Sequence, residues 1–310
     1  MLNYSKYVLI PFLVISAQLF YVKTVFATSQ TSPTRSEIDI SGVVDFNDIK
    51  HSGQLAAASY LETPFLEKRL VGKNHTLLHH NELPGTALSY FLSQSATGVQ
   101  YISFRGTSNV ENAIVDVDLA LAVDPLLNIS LHQGFSSAAR VAYSDLKPLL
   151  DKTKPVRTTG HSLGGAIAVI MAMYLQREGF LLEQVITFGQ PKVTNVAGAN
   201  QFSKLPLSRV VTPKDIVPLV PPLSPLQLRD LDIYWHMGRE IILLPENRYA
   251  VLRGLKSMMR ATEFVSSVPN ESNLQAHQMS TYLSLIDGKL SGAQEMSYQV
   301  KMNLFGFTLK

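Results

Sequence analysis

No cysteine occurs in the 310 residues of this chain, and that absence removes several chemistries at once. Disulfides, thiolate metal sites, thiol nucleophiles and lipid attachment through cysteine are excluded, so covalent catalysis would fall to another side chain. Charge is scarce as well. Only 16% of residues are charged, the formal net charge is +3, and lysine and arginine never form a run of five. So small and dispersed a charge excludes the electrostatic footprint of a nucleic-acid-binding surface. Internal repeats and low-complexity linkers are missing too, so nothing divides the chain. What is present is apolar: 46% hydrophobic residues can bury one large core, and chains of this length commonly form a single α/β domain.

The first long apolar run covers residues 7–22, preceded by Lys6 and followed by Val25-Phe26-Ala27. A modest positive start, a short apolar stretch and small or β-branched residues at the end predict a signal peptide over residues 1–27, with an uncleaved membrane anchor as the alternative. Residues 28–50 are expected to be a polar lead-in, and residues 51–310 one domain. An exported, cysteine-free chain suits secretion or a bacterial periplasm or envelope.

Periodicity then sketches the domain. Residues 51–66 read as a first helix, and residues 88–92 and 99–104 as strands of a hairpin. Residues 115–123 alternate strictly, the period of a half-buried strand, and residues 135–150 have helical spacing. Residues 156–159 are strand-like, residues 166–175 are unbroken apolar, and Glu178-Gly179 closes that helix. Further short strands at residues 184–188 and 207–212 continue an alternating rhythm. It predicts a mainly parallel central sheet covered by helices on both faces.

Between the strand at 156–159 and the buried helix stands Gly160-His161-Ser162-Leu163-Gly164-Gly165. This is the G-x-S-x-G elbow, in which a serine sits strained on a strand-to-helix turn and small neighbours let strand and helix pass. A serine hydroxyl needs a base to take its proton, and a histidine base needs a carboxylate to orient it. In the chain order serine, acid, histidine, the best acid is Asp215, which ends a strand and precedes Ile216-Val217-Pro218; Asp230, Asp232 and Asp287 follow no such strand. Of the two later histidines, His277 lies in a polar loop ahead of a helical segment at 279–286, whereas His236 lies in a strand-like run. His277 is therefore the expected base, and His161, whose side chain points away across the elbow, is expected to be structural. The oxyanion of a tetrahedral intermediate needs donors. The Leu163 amide follows the nucleophile directly, and Thr107, in Phe104-Arg105-Gly106-Thr107-Ser108, offers an amide and a hydroxyl at a strand end.

With these segments in this order, the chain resembles the class 3, fungal-lipase-like family of α/β-hydrolases. The resemblance rests on Phe104-Arg105-Gly106-Thr107, His132-Gln133-Gly134-Phe135 and Thr159 to Gly165. It continues through Thr187-Phe188-Gly189-Gln190-Pro191-Lys192-Val193, Asp215-Ile216-Val217-Pro218, Tyr234-Trp235 and His277-Gln278-Met279-Ser280-Thr281-Tyr282. It implies the α/β-hydrolase fold, a triad of Ser162, Asp215 and His277, and an oxyanion hole of Thr107 and the Leu163 amide. It implies no cofactor and no metal. The function implied is a secreted serine carboxylic-ester hydrolase that cleaves lipid esters, as a triacylglycerol lipase or phospholipase A does, through an acyl-serine intermediate. The alternatives are an esterase for soluble aryl, feruloyl or short-chain esters, and a non-catalytic binding protein on the same scaffold. The expected partners are an ester substrate and a transient lipid surface, with no nucleic acid and no obligate protein partner.

Three features depart from the family pattern. Asn112 is followed by Ala113 where relatives carry an aromatic residue in the lid, and the lid is expected to be short, residues 108–114. The disulfides of the fungal relatives are absent. Arg157 stands in the strand before the elbow, where a parallel core prefers an apolar side chain. Residues 248–265 have no clear counterpart; Val251, Leu252, Leu255, Met258 and Met259 fall at helical spacing with Arg253, Lys256 and Arg260 off that face, which predicts an amphipathic helix packed on the domain, resting on anionic lipid or lining the acyl pocket.

Overall fold

Asp45 starts the first element. Its carboxylate accepts from the backbone N–H groups of Asn47 and Asp48 and opens helix α1, Phe46–Ala58. The computed structural model describes residues 43–82, 88–107, 120–222, 227, 232–261, 270–300, 302–304 and 307–309. Within it, Val44–Lys310 form one compact unit. The expected signal peptide and the expected lid at 108–114 lie outside the described residues, as does most of the alternating stretch at 115–123.

After α1 come α2 (Thr63–Val71), β1 (His75–Glu82), β2 (Ser89–Ser95), β3 (Gln100–Phe104), β4 (Leu121–Val123), β5 (Ser130–His132) and α3 (Gln133–Leu146). The elbow region follows with β6 (Val156–His161) and α4 (Leu163–Arg177), then β7 (Leu182–Phe188), β8 (Thr194–Asn195), α5 (Val196–Gln201) and β9 (Leu207–Val211). The last part holds β10 (Tyr234–Trp235), β11 (Arg239–Leu243), β12 (Arg248–Arg253), α6 (Gly254–Ala261), α7 (Glu271–His277), α8 (Met279–Asp287), β13 (Gln294–Glu295), β14 (Met302–Leu304) and β15 (Phe307–Leu309).

Among the described residues the main sheet runs β1-β2-β3-β6-β7-β9-β11-β12-β13. Its centre, β3-β6-β7-β9-β11, is parallel throughout, and β1, β2 and β3 pair antiparallel at one side. Side chains alternate faces along a strand, so neighbours in β7 report two cores. Val185 packs with α3 and α4, while Ile186 and Phe188 pack with α1 and α8. Helices thus cover both faces. Helix α4 is buried from Gly164 to Leu175, as its unbroken apolar sequence requires.

Two expectations change. The first helix begins at Phe46 rather than residue 51, and the chain breaks before α2 opens at Thr63 with proline in its first turn. The stretch at 248–265 is not one helix. Residues 248–253 form β12, paired antiparallel with β11 from Arg239↔Arg253 to Leu243↔Tyr249, and the chain turns into α6 at Gly254 with φ +51°. Ala250 and Leu252 are buried on that strand, so apolar residues that fit a helical period serve a strand period instead. Arg260 is not on an outer face: it is buried and donates to Glu240 Oε1 at 2.7 Å. Residues 262–269 lie outside the described residues.

Arg157 acquires a reason. Its Nε donates to Glu183 Oε2 at 2.5 Å, its Nη1 reaches Asp48 Oδ1 and the Tyr101 hydroxyl at 3.3 Å each, and its guanidinium lies over the Tyr101 ring. It sits at the open beginning of β6, with 20% of its side chain exposed, and clamps α1 to the sheet rather than entering the core.

Candidate active site

Ser162 occupies the turn from β6 into α4 with φ 57° and ψ −129°, a conformation that L-residues adopt only when the surroundings enforce it. The enforcement is visible. The Ser162 N–H donates to the Phe188 carbonyl at 2.9 Å, and its own carbonyl accepts from Gly165 N at 2.9 Å. Strand and helix pass so closely that a Cβ on Gly160 would collide with the backbone of Gly164, and one on Gly164 would lie 2.6 Å from the Arg105 carbonyl oxygen. The elbow therefore also brings the end of β3 against the start of α4. A Cβ on Gly106 would lie 2.9 Å from Ser162 Cβ, which measures how near the Gly106-Thr107 loop runs to the serine.

Asp215 follows β9 and His277 ends α7. The structure brings them together: Nδ1 of His277 donates to Asp215 Oδ2 at 2.8 Å. Asp215 is 0% exposed and His277 2%. The carboxylate accepts two further bonds, from the Tyr282 hydroxyl to Oδ2 at 2.5 Å and from Val217 N to Oδ1 at 2.9 Å. Burial pushes the Asp215 carboxyl up, but the His277 ring and these donors outweigh it and hold the group below its ordinary value. Burial and the neighbouring carboxylate raise the Tyr282 phenol well above its usual range, so it remains a donor. The main chain beneath is also fixed, since Thr212 Oγ1 donates to the Ala276 carbonyl at 3.0 Å.

With Nδ1 bound to Asp215, the other ring nitrogen of His277 is buried and has no hydrogen-bond partner among the described residues. A buried polar atom left unpaired is uncommon in a folded protein and marks His277 Nε2 as a candidate proton acceptor. The ring lies over Gly189, whose Cβ would sit 2.7 Å from Cε1, and 4.5 Å centroid to centroid from the His161 ring.

The competing residues stand elsewhere. His236 is buried with Nε2 donating to the Pro218 carbonyl at 2.6 Å, and burial together with Arg209 and Lys192 holds its pKa well below the ordinary value. Asp232 accepts from Asn195, Asp287 pairs with Lys50, and Asp230 lies outside the described residues. Leu163 begins α4, directly after Ser162, and Thr107 is half-buried in the segment that follows β3. Tyr282 was visible only as part of a motif; its place one helical turn into α8 was the signal. Tyr60, which reaches the same region from the α1–α2 corner, carried no sequence signal at all. No group of three or more metal-ligating side chains occurs among the described residues.

Residues 101–224 match the family model described as Lipase (class 3). Over 148 residues the chain is 34% identical to a lipase of Rhizomucor miehei, covering 44% of this chain and 41% of that protein. Over 144 residues it is 31% identical to secreted mono- and diacylglycerol lipase 1 of Fusarium solani, covering 44% and 43%. The chain thus spans about two fifths of the length of these relatives. Among solved structures it superposes, with TM-score 0.53 and 25% identity over 65% of this chain and 80% of the other, on a triacylglycerol lipase whose catalytic centre is a serine protease triad.

Proposed function

We propose that this chain, whose residues 101–224 match the Lipase (class 3) family model, is a fungal-lipase-like α/β-hydrolase that acts as a secreted serine hydrolase of lipid carboxylic esters. The observation that carries this reading is the buried Asp215–His277 pair, with the second ring nitrogen unpaired, at the strained Ser162 elbow.

In this mechanism His277 Nε2 takes the proton of Ser162 Oγ as the oxygen attacks the ester carbonyl. Asp215 holds the Nδ1–H tautomer and stabilises the imidazolium. Charge developing on the carbonyl oxygen is met by the Leu163 amide and by Thr107; removing one such donor typically costs about 10²–10³ in kcat. Collapse of the tetrahedral intermediate returns the proton from His277 to the departing alcohol and leaves acyl-Ser162. Water, deprotonated by His277, then releases the fatty acid and frees the serine. All five of these groups belong to the chain, so the cycle closes with the ester and water as the only reactants it needs.

A lipid ester is favoured by the relatives, one of them a mono- and diacylglycerol lipase, and secretion by the predicted signal peptide together with the same relative. The reading is tested with p-nitrophenyl and glyceryl esters of rising acyl length, with Ser162→Ala as the blank. The expected result is turnover that increases from acetyl to medium-length acyl chains. Turnover confined to acetyl or aryl esters would make it an esterase of soluble substrates, and none above the blank would make it a binding protein.

A further inference from the structure

His161 touches the nucleophile in sequence, yet its side chain takes no part in the proton transfers above. It is 4% exposed and both ring nitrogens are engaged. Nε2 lies 2.7 Å from the main-chain carbonyl oxygen of His277, and Nδ1 lies 2.7 Å from the Tyr60 hydroxyl. The same hydroxyl oxygen accepts from the Gly106 N–H at 3.1 Å.

The directions of these bonds are fixed by chemistry. A carbonyl only accepts, so His161 Nε2 carries its proton. Burial, followed by the nearby His277, lowers the His161 pKa to about 3, so the ring is neutral and Nδ1 is bare. Nδ1 therefore accepts from the Tyr60 O–H, and the Tyr60 oxygen remains free to accept from Gly106. Burial likewise raises the Tyr60 phenol to about 12, which keeps that proton in place. The result is an unbroken chain, Gly106 N–H to Tyr60 O–H to His161 to His277 C=O. It joins the loop after β3, the α1–α2 corner, the elbow and the end of α7, four segments distant in sequence.

We propose that Tyr60 and His161 are positioning residues that hold the Gly106-Thr107 loop and the main chain of the base in a single register. The proposal rests on the ester-hydrolase reading, because it gives the chain a task only if the loop donates to an oxyanion and His277 is the base. Small misplacements of such groups are costly: about 1 Å can lose about 10² in rate. Gly106 fits this role sterically, since a Cβ there would lie 2.5 Å from the Tyr60 hydroxyl oxygen.

The test uses Tyr60→Phe, which deletes one oxygen and keeps the ring, with His161→Gln and the double variant. Rates on a soluble ester are measured together with amide hydrogen exchange at Gly106. Tyr60→Phe should lower kcat by about 10–100-fold with KM within about twofold, and Gly106 exchange should quicken. The double variant should be no slower than the worse single one, because both break one chain. Multiplying losses, a loss in KM alone, or unchanged exchange at Gly106 would overturn the proposal. Should the unaltered protein cleave no ester, the function reading fails, and exchange at Gly106 alone still decides whether the chain of bonds holds the loop.

Discussion

At the scale of single residues, the site depends on groups that are costly to place and unrewarded by packing. Ser162 holds a positive φ, Asp215 is buried as a carboxylate, and His277 buries an unpaired nitrogen. Strain and burial of this kind persist only where neighbours over-determine them. Asp215→Asn keeps the shape but lets the amide favour the wrong imidazole tautomer, so kcat should fall on the order of 10⁴ while the unfolding temperature changes little. Gly160→Ala should act in the opposite way. Its methyl meets the Gly164 backbone, so urea unfolding should show a loss of about 3 kcal/mol. The Ser162 elbow and the pairing of Asp215 with His277 were legible in sequence because the chemistry proposed for them needs those residue types in that order. Arg157 and Tyr60 were not, because their partners, Asp48 and Glu183 for one and His161 for the other, come from distant segments that no local pattern connects.

At the scale of elements, His277 is the instructive case. The polar run before it reads as a loop, yet Asn270 and Asn273 form a capping box and fold residues 271–277 into α7. His277 thus stands at a helix end, and the chain breaks at Gln278, ψ 139°, before α8 begins. Composition suggested a loop because asparagine is a turn residue, and asparagine is also a helix cap. Asn270→Ala should cost about 1 kcal/mol of stability, read by urea unfolding, because the Asn273 N–H loses its acceptor. Residues 248–253 show the same ambiguity for apolar residues. Val251, Leu252 and Leu255 fit a helical period, but pairing with β11 satisfies the backbone of the first two as a strand. A short apolar run does not reveal which period it serves until its neighbour is known.

At the scale of the whole molecule, the strand–helix rhythm was readable and the polar interior was not. Behind the acid loop, Arg209 and Arg260 gather around Glu240 and Ser257. Nearby, Lys192 donates to the carbonyls of Leu219 and Pro221 at 2.5 and 2.8 Å. Burial, reinforced by Arg209, lowers the Lys192 pKa from about 10.5 to about 7, and a neutral amine has two N–H groups for those two carbonyls. A depressed pKa in the folded state fixes the sign: the contribution is full above pH 10.5 and is lost as pH falls towards 7. Denaturant unfolding should therefore show a stability gain on the order of 5 kcal/mol between those limits that Lys192→Met lacks, since one unit is worth about 1.36 kcal/mol.

The central claim is that Ser162 is the nucleophile and that the Asp215–His277 pair activates it. The most direct measurement is labelling with a fluorophosphonate, which phosphonylates an activated serine, followed by mass spectrometry of the labelled peptide. The unaltered protein should carry one label, on Ser162, and lose ester turnover in proportion. Ser162→Ala should remain unlabelled, and His277→Ala should label at least about 10²-fold more slowly, the scale on which a general base contributes. Label on a different residue, or equal labelling rates with and without His277, would contradict the account.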